Sequence, residues 1–250
     1  MDMWKYFDII HREHIVCNPM NNEKLNKLVE LTRLNENSNV LEIACGKAEF
    51  LIRLAEAYNI QGVGIDISPY CIIEAKEKLK KRRPDSKIKF IELNGAVYKH
   101  PEENFFDLAM CIGAEWIFNG FKNTLQYLIQ NVKRDGLVIA GCPFWQNEPP
   151  EEYLQALGFS KNSYGTHYEN MLIGKDLGLE LIYSVVSGKD DWDNYSGLNW
   201  YSGIKYINAN PDDKDNIELY NRIIKDRDSY LKWGRETLGW AIYLFQKVNF

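Results

Sequence analysis

Two acidic residues and a turn of small side chains are the part of this 250-residue chain best suited to chemistry. Glu42 lies in the run Val40-Leu-Glu-Ile-Ala-Cys-Gly-Lys-Ala-Glu-Phe, and Asp66 follows Gly46 by twenty residues, in Gly-Ile-Asp-Ile-Ser. Ala44, Gly46 and Ala48 are small enough to let the backbone of a turn approach a ligand. An acid closing the next strand can accept hydrogen bonds from both hydroxyls of a ribose. This spacing specifies a nucleoside-containing cofactor without specifying which one.

Such acids need strands that end side by side. Short apolar runs at Val40–Ala44, Gly62–Asp66, Lys87–Leu93, Phe106–Ile112 and Leu137–Gly141 read as five strands. Helical spacing falls between them: Phe50, Leu51, Leu54, Ala55 and Tyr58; then Pro69 to about Arg83; then Leu125, Leu128 and Ile129. Strands alternating with helices form right-handed βαβ units and a mostly parallel sheet. Leu179–Val186 and Gly239–Gln246 add two strands, predicting a doubly wound, Rossmann-like α/β sheet of seven strands with a helical cap. We expect one domain over 1–250: an N-terminal helical lid at 1–35, with Asn22 capping a helix, a cofactor-binding core at 36–190, and a helical insertion at 191–237. Within the insertion the helical stretch falls near 213–237. A structureless connection that long is improbable.

Two cofactors compete for the turn. A dinucleotide needs G-x-G-x-x-G, which here becomes Ala44, Gly46 and Glu49, and a carboxylate in place of the last glycine repels pyrophosphate. S-adenosylmethionine needs no phosphate nest, and Glu42 suits its ammonium group. The chain resembles the class I S-adenosylmethionine-dependent methyltransferases, whose [E/D]-x-G-x-G-x-G loop appears as Glu42-Ile-Ala44-Cys-Gly46-Lys-Ala48. Alanine disfavours positive φ, costing about 1 kcal/mol where the turn demands it. The resemblance implies that Asp66 and its neighbour Ile67 hold the ribose. It also implies that Asn94, Gly95 and Ala96 line the adenine, with Gly95 standing where the family carries an acid. Ala44, Cys45, Gly46 and Cys111 complete the implied cofactor set. Phe106-Asp107-Leu-Ala-Met-Cys111 resembles the family's fourth-strand motif, and Lys133-Arg-Asp-Gly136 the turn before strand five. His14-Ile-Val-Cys17-Asn18-Pro19, Gly113-Ala-Glu-Trp116, Pro143-Phe-Trp145, Trp192-Asp-Asn-Tyr195 and Asn210-Pro-Asp-Asp extend the likeness to a group of poorly characterised bacterial small-molecule methyltransferases.

Trp116, Trp145, Trp192, Tyr195 and Trp200 either pack the cap or wall a substrate pocket, where stacking and cation–π contact are worth ~0.5–2 kcal/mol each. Glu115, after strand four, is a substrate-facing or catalytic group or a surface ion pair. His14 and His167 are candidate general bases, since histidine titrates near neutrality, or structural residues. Cys45 and Cys111 read as packing residues, and no cluster of cysteines facing one site is visible in the sequence.

Lys and Arg number 30 against 35 Asp and Glu, for a net charge of −5. That balance disfavours nucleic-acid partners, and the basic run Lys80–Arg83 reads as a solvated helix end. Five dispersed cysteines without C-x-x-C argue for a reducing compartment and against disulfides or a zinc site. With no apolar run of membrane-spanning length and no leader pattern, the expectation is a cytoplasmic enzyme that methylates a small molecule by in-line displacement, with no metal, membrane or nucleic acid. The alternatives are a non-catalytic S-adenosylmethionine-binding module and an NAD(P)-dependent oxidoreductase.

Overall fold

The computed structural model describes residues 1–248. Strands β1 (Asn39–Ile43), β2 (Gln61–Asp66), β3 (Lys87–Glu92), β4 (Phe106–Ile112), β5 (Val132–Trp145), β6 (Leu179–Val186) and β7 (Leu238–Lys247) form one sheet, ordered β3-β2-β1-β4-β5-β7-β6. Pairing is parallel from β3 through β5, and β7 runs antiparallel to both β5 and β6. The expected seven-stranded, mostly parallel sheet is therefore present. Its order reverses between β1 and β4, so their carboxyl ends splay open there.

The helices are α1 (Met3–Ile10), α2 (Asn22–Thr32), α3 (Glu49–Tyr58), α4 (Pro69–Arg82), α5 (Phe121–Asn131), α6 (Glu151–Leu157), α7 (His167–Asp176), α8 (Lys189–Ala209) and α9 (Asn216–Ser229). Their starts follow from capping chemistry. Asn21, one residue before the expected cap, accepts from the Lys24 N–H at the head of α2. Ser68 accepts from the Cys71 N–H and is followed by Pro69, whose missing N–H costs nothing at a helix start. Leu28, Leu51, Leu54 and Ile72 pack on one side of the sheet, while Leu125, Leu128 and Phe245 pack on the other. Burial on both faces explains why the central strands are continuous apolar runs rather than alternating ones.

A third apolar cluster joins Tyr6, Ile9 and Ile10 of α1 to Leu219 and Ile223 of α9, with Trp200 and Tyr206 of α8 against it. The N-terminal segment and the late insertion thus build one cap. The insertion differs from the expectation: it begins at Lys189 and holds two long helices joined to β7 through a π-helical turn, Tyr230–Gly234. Among the described residues no helix is long and apolar enough to cross a membrane.

Candidate functional site

The loop between β1 and α3 takes three left-handed steps: Ala44, Gly46 and Ala48 have φ of 54°, 52° and 54°. These are the small positions singled out in the sequence, and here the turn does demand positive φ of two alanines. The loop is fastened from β2. The Gly46 N–H donates to Asp66 Oδ2 and the Ser68 N–H to Asp66 Oδ1, each at 2.8 Å. Lys47, almost fully buried, donates to the carbonyls of His11 (2.9 Å) and His14 (3.3 Å) and pairs with Glu74 (2.9 Å). The same loop therefore holds the segment after α1 down over the strand ends.

A cleft opens above these strand ends. Its floor carries Glu42, Ala44, Cys45, Gly46 and Asp66, and Tyr195 and Trp116 stand at its walls. An adjoining recess shares Ala44, Asp66 and Trp116 and continues to Ile67, Asn94 and Gly95. The two acids meet in one cavity. Glu42 is 4% exposed, and its Oε2 has no hydrogen-bond partner. Burial, then the charge of Asp66, pushes its carboxyl well above the ordinary carboxylate value, against a backbone hydrogen bond from Leu51. Burial also raises Asp66, opposed by the backbone hydrogen bonds it accepts from Ser68 and Gly46. An acid buried without a cation is the complement of an ammonium group. The unpartnered Glu42 oxygen and the small-residue turn fit S-adenosylmethionine, with Glu42 toward its methionyl ammonium and Asp66 toward its ribose.

Not every expected site residue lies in the cleft. Ala96 does not line it, and its N–H is already donated to Asn94 Oδ1 at 3.0 Å, in a cap on the short turn Gly95–Val97. A side chain at Gly95 would meet Ile43 Cγ2 at 2.5 Å, so any larger residue there requires Ile43 to shift. Cys111 lies buried within β4, and burial raises its thiol, leaving no accessible nucleophile. Glu115 sits outside the cleft lining, and burial raises its carboxyl. His167 Nδ1 is 2.7 Å from the Tyr243 hydroxyl, and His14 Nε2 is 3.0 Å from the Tyr195 carbonyl, so both serve packing. Trp145 belongs to a separate cluster with Tyr153 and Leu154, its indole N–H donating to the Lys161 carbonyl at 2.8 Å. Trp192 is not in the cleft lining and packs edge-on against Tyr195, with ring centroids 6.1 Å apart.

Sequence reasoning missed several lining residues: Trp4, Phe7 and His11 from the N-terminal segment, and Cys17 and Cys71 beside Cys45. Three cysteines face one cleft, a grouping that nothing in the sequence displayed. Burial raises all three thiols, and among the described residues no group of three His, Cys, Asp or Glu is placed to hold a metal ion. His11 carries no spacing signal, because its contact, Tyr195, is 184 residues away. The basic run is only partly a solvated end. Arg82 bridges Glu49 and Glu56, and Glu49 also binds Arg53 and Lys78. That clamped acid in the first turn of α3 occupies the place where pyrophosphate would dock, so the dinucleotide alternative fails.

Strand order, left-handed turn and paired acids define the class: a doubly wound fold built around a sulfonium nucleoside. A family described as a methyltransferase domain matches residues 40–136. The chain is 30% identical over 246 residues to YjhP of Escherichia coli strain K12, covering 97% of this chain and 98% of that protein. The X-ray structure of YjhP superposes with a TM-score of 0.91 at 29% identity, over 98% of this chain and 100% of that one. A methyltransferase from Geobacter sulfurreducens in complex with S-adenosylhomocysteine gives a TM-score of 0.91 at 27% identity, over 98% of each chain. One from Thiobacillus denitrificans, likewise with S-adenosylhomocysteine, gives 0.90 at 29%, over 99% of this chain and 100% of that one. The chain belongs to the class I S-adenosylmethionine-dependent methyltransferases, and S-adenosylmethionine is its cofactor.

Proposed function

We propose that this enzyme methylates a small-molecule acceptor in the cleft between the strand ends and the cap. The observation that carries the reading is the unpartnered, buried Glu42 oxygen sharing a floor with Asp66. Bound there, S-adenosylmethionine supplies an electrophilic methyl group on a good leaving group. Glu42 holds the ammonium, Asp66 the ribose, and Ala44, Cys45 and Gly46 give the backbone approach between them. Ile67, Asn94 and Gly95 form the adenine recess, and Trp116 and Tyr195 face the acceptor. With both reactants aligned and water excluded, positioning supplies much of the rate.

The cap formed by residues 1–35 and the late insertion acts as the lid, and with the core it makes one domain. Its aromatic lining favours a small molecule over nucleic acid, in keeping with the negative net charge. Five free cysteines suit a reducing, cytoplasmic setting.

Asp66→Ala tests the site. It removes two charge-assisted hydrogen bonds, so calorimetric affinity for S-adenosylhomocysteine should fall by about a hundredfold or more. Circular dichroism checks that the variant is folded. Unchanged affinity in a folded variant removes Asp66 from the site.

A further inference from the structure

The acceptor end of the cleft has an unusual charge balance. Glu42 and Asp66 face the cofactor in the reading above, on which this inference rests. Lys47, the cation of the cleft lining, is consumed by Glu74 and two carbonyls, and Glu49 is held by Arg53, Lys78 and Arg82. What remains is apolar or neutral: Trp4, Phe7, Ile15, Trp116, His11 and Tyr195. A cationic amine would find no free anion there, and a carboxylate no free cation. A flat neutral ring finds aromatic walls.

Two of those residues are already paired. His11 Nε2 lies 3.0 Å from the Tyr195 hydroxyl, and the His11 ring stacks on Phe7 at 5.8 Å with an 8° interplanar angle. His14 fixes the Tyr195 carbonyl. This arrangement joins the two halves of the cap at the point where they meet the cleft.

We propose that Tyr195 is the catalytic residue that takes the proton of the acceptor, that His11 positions and drains it, and that the acceptor is a neutral hydroxyl-bearing ring of the phenol class. The acceptor oxygen bonds to the methyl carbon as the carbon–sulfur bond breaks, the electron pair staying on sulfur. The acceptor proton passes to Tyr195 Oη while the tyrosine's own proton moves to His11 Nε2; His11, buried in the closed cap, gives it up to water when the cleft opens for product release. Burial, with His14 and Lys47 adding to it, lowers His11 to about 3. The imidazole is therefore a neutral acceptor at any working pH. It is a weak base, but the oxonium formed by methyl transfer is a far stronger acid, so the proton moves late and downhill. The titratable groups near the pair are His14, Lys47, Cys17, Asp226 and Tyr6, and none brings an acid limb near the ordinary histidine value.

The test uses para-nitrophenol and catechol as probes, with benzylamine and benzoate as matched controls. Binding to the full chain is read by calorimetry and by nitrophenol absorbance, with and without S-adenosylhomocysteine. Turnover is read as S-adenosylhomocysteine released from S-adenosylmethionine. Both phenols should bind as neutral species and be methylated; with catechol, which stays un-ionised across the range, activity should show no limb between pH ~5 and ~7.5, whereas nitrophenol should lose binding as it ionises near neutrality. Tyr195→Phe should lower kcat by roughly 10²-fold or more with KM nearly unchanged. His11→Ala should lower kcat less, and His11→Gln, whose carbonyl accepts from Tyr195, should recover part of it. All three variants should keep S-adenosylhomocysteine affinity. Phenols neither bound nor methylated by a protein that binds S-adenosylhomocysteine overturn this inference alone, as does full kcat in folded Tyr195→Phe. Loss of S-adenosylhomocysteine binding in the wild type overturns the cofactor assignment instead.

Discussion

The carboxylate of Asp66 accepts the Gly46 N–H at 2.8 Å, so the acid ending the second strand fastens the turn that leaves the first. The loop is shaped before any cofactor arrives, and its ordering is not left to be supplied by binding. The arrangement places a second acid, Glu42, in the same buried space with one oxygen unpartnered. Two raised carboxyls side by side oppose stability in the empty protein.

That opposition gives Glu42→Gln two effects of opposite sign. The folded carboxyl is raised, chiefly by burial. Its stabilising share is therefore complete below the ordinary value near 4.5 and is lost as pH rises through the raised value. Gln carries no such titration. The variant should match the wild type near pH 4 and become the more stable of the two as pH rises toward 8. S-adenosylhomocysteine affinity should fall by about tenfold, since the ammonium loses its charged partner. Urea denaturation across pH, paired with calorimetry, reads both; a variant that is less stable at pH 8, or binds equally well, removes Glu42 from this role.

Ala44 and Ala48 both sit at φ 54°, yet they should respond differently to glycine. Relief of left-handed strain outweighs the added freedom of the unfolded chain, so Ala44→Gly should gain about 0.5–1 kcal/mol. Ala48 is fully buried, and its lost methyl costs about 0.8 kcal/mol, leaving Ala48→Gly close to neutral. Equilibrium denaturation of the two single variants measures the contrast, and a destabilised Ala44→Gly would contradict the strain argument.

Much of this architecture was legible in the sequence because strands buried on both faces announce themselves as apolar runs. Leu179–Val186 matches β6 residue for residue. β5 runs on from Val132 to Trp145, beyond the expected Leu137–Gly141, because Lys133, Arg134 and Asp135 are polar and lie where its pairing with β4 shifts register. Helix α8 escaped periodicity for a different reason: its buried residues are Asp191, Ser196, Ser202 and Gly203, small or polar groups that mark no apolar stripe. The acids were legible because each closes a strand at fixed spacing. His11 and Lys47 were not, because their roles come from contacts made across the chain by the cap.

Lys47 supplies the most direct test of how that cap is held. Its side chain is 6% exposed, and its ammonium satisfies the carbonyls of His11 and His14, which close the turn after α1. Lys47→Met keeps most of the stem's packing and removes every one of those bonds. Two carbonyls in buried hydrogen bonds and the Glu74 carboxylate then lose their partner, at a cost of about 1–3 kcal/mol in denaturation. The consequence should be local before it is global. Amide exchange in residues 9–17 should accelerate strongly, while β1 and β4, buried on both faces, keep their protection. Affinity for S-adenosylhomocysteine should fall less than in Asp66→Ala, because Lys47 holds the roof and Asp66 the floor. Uniform acceleration across β1 and β4 would mean that Lys47 supports the whole domain, and the assignment of a separately opening cap would fail with it.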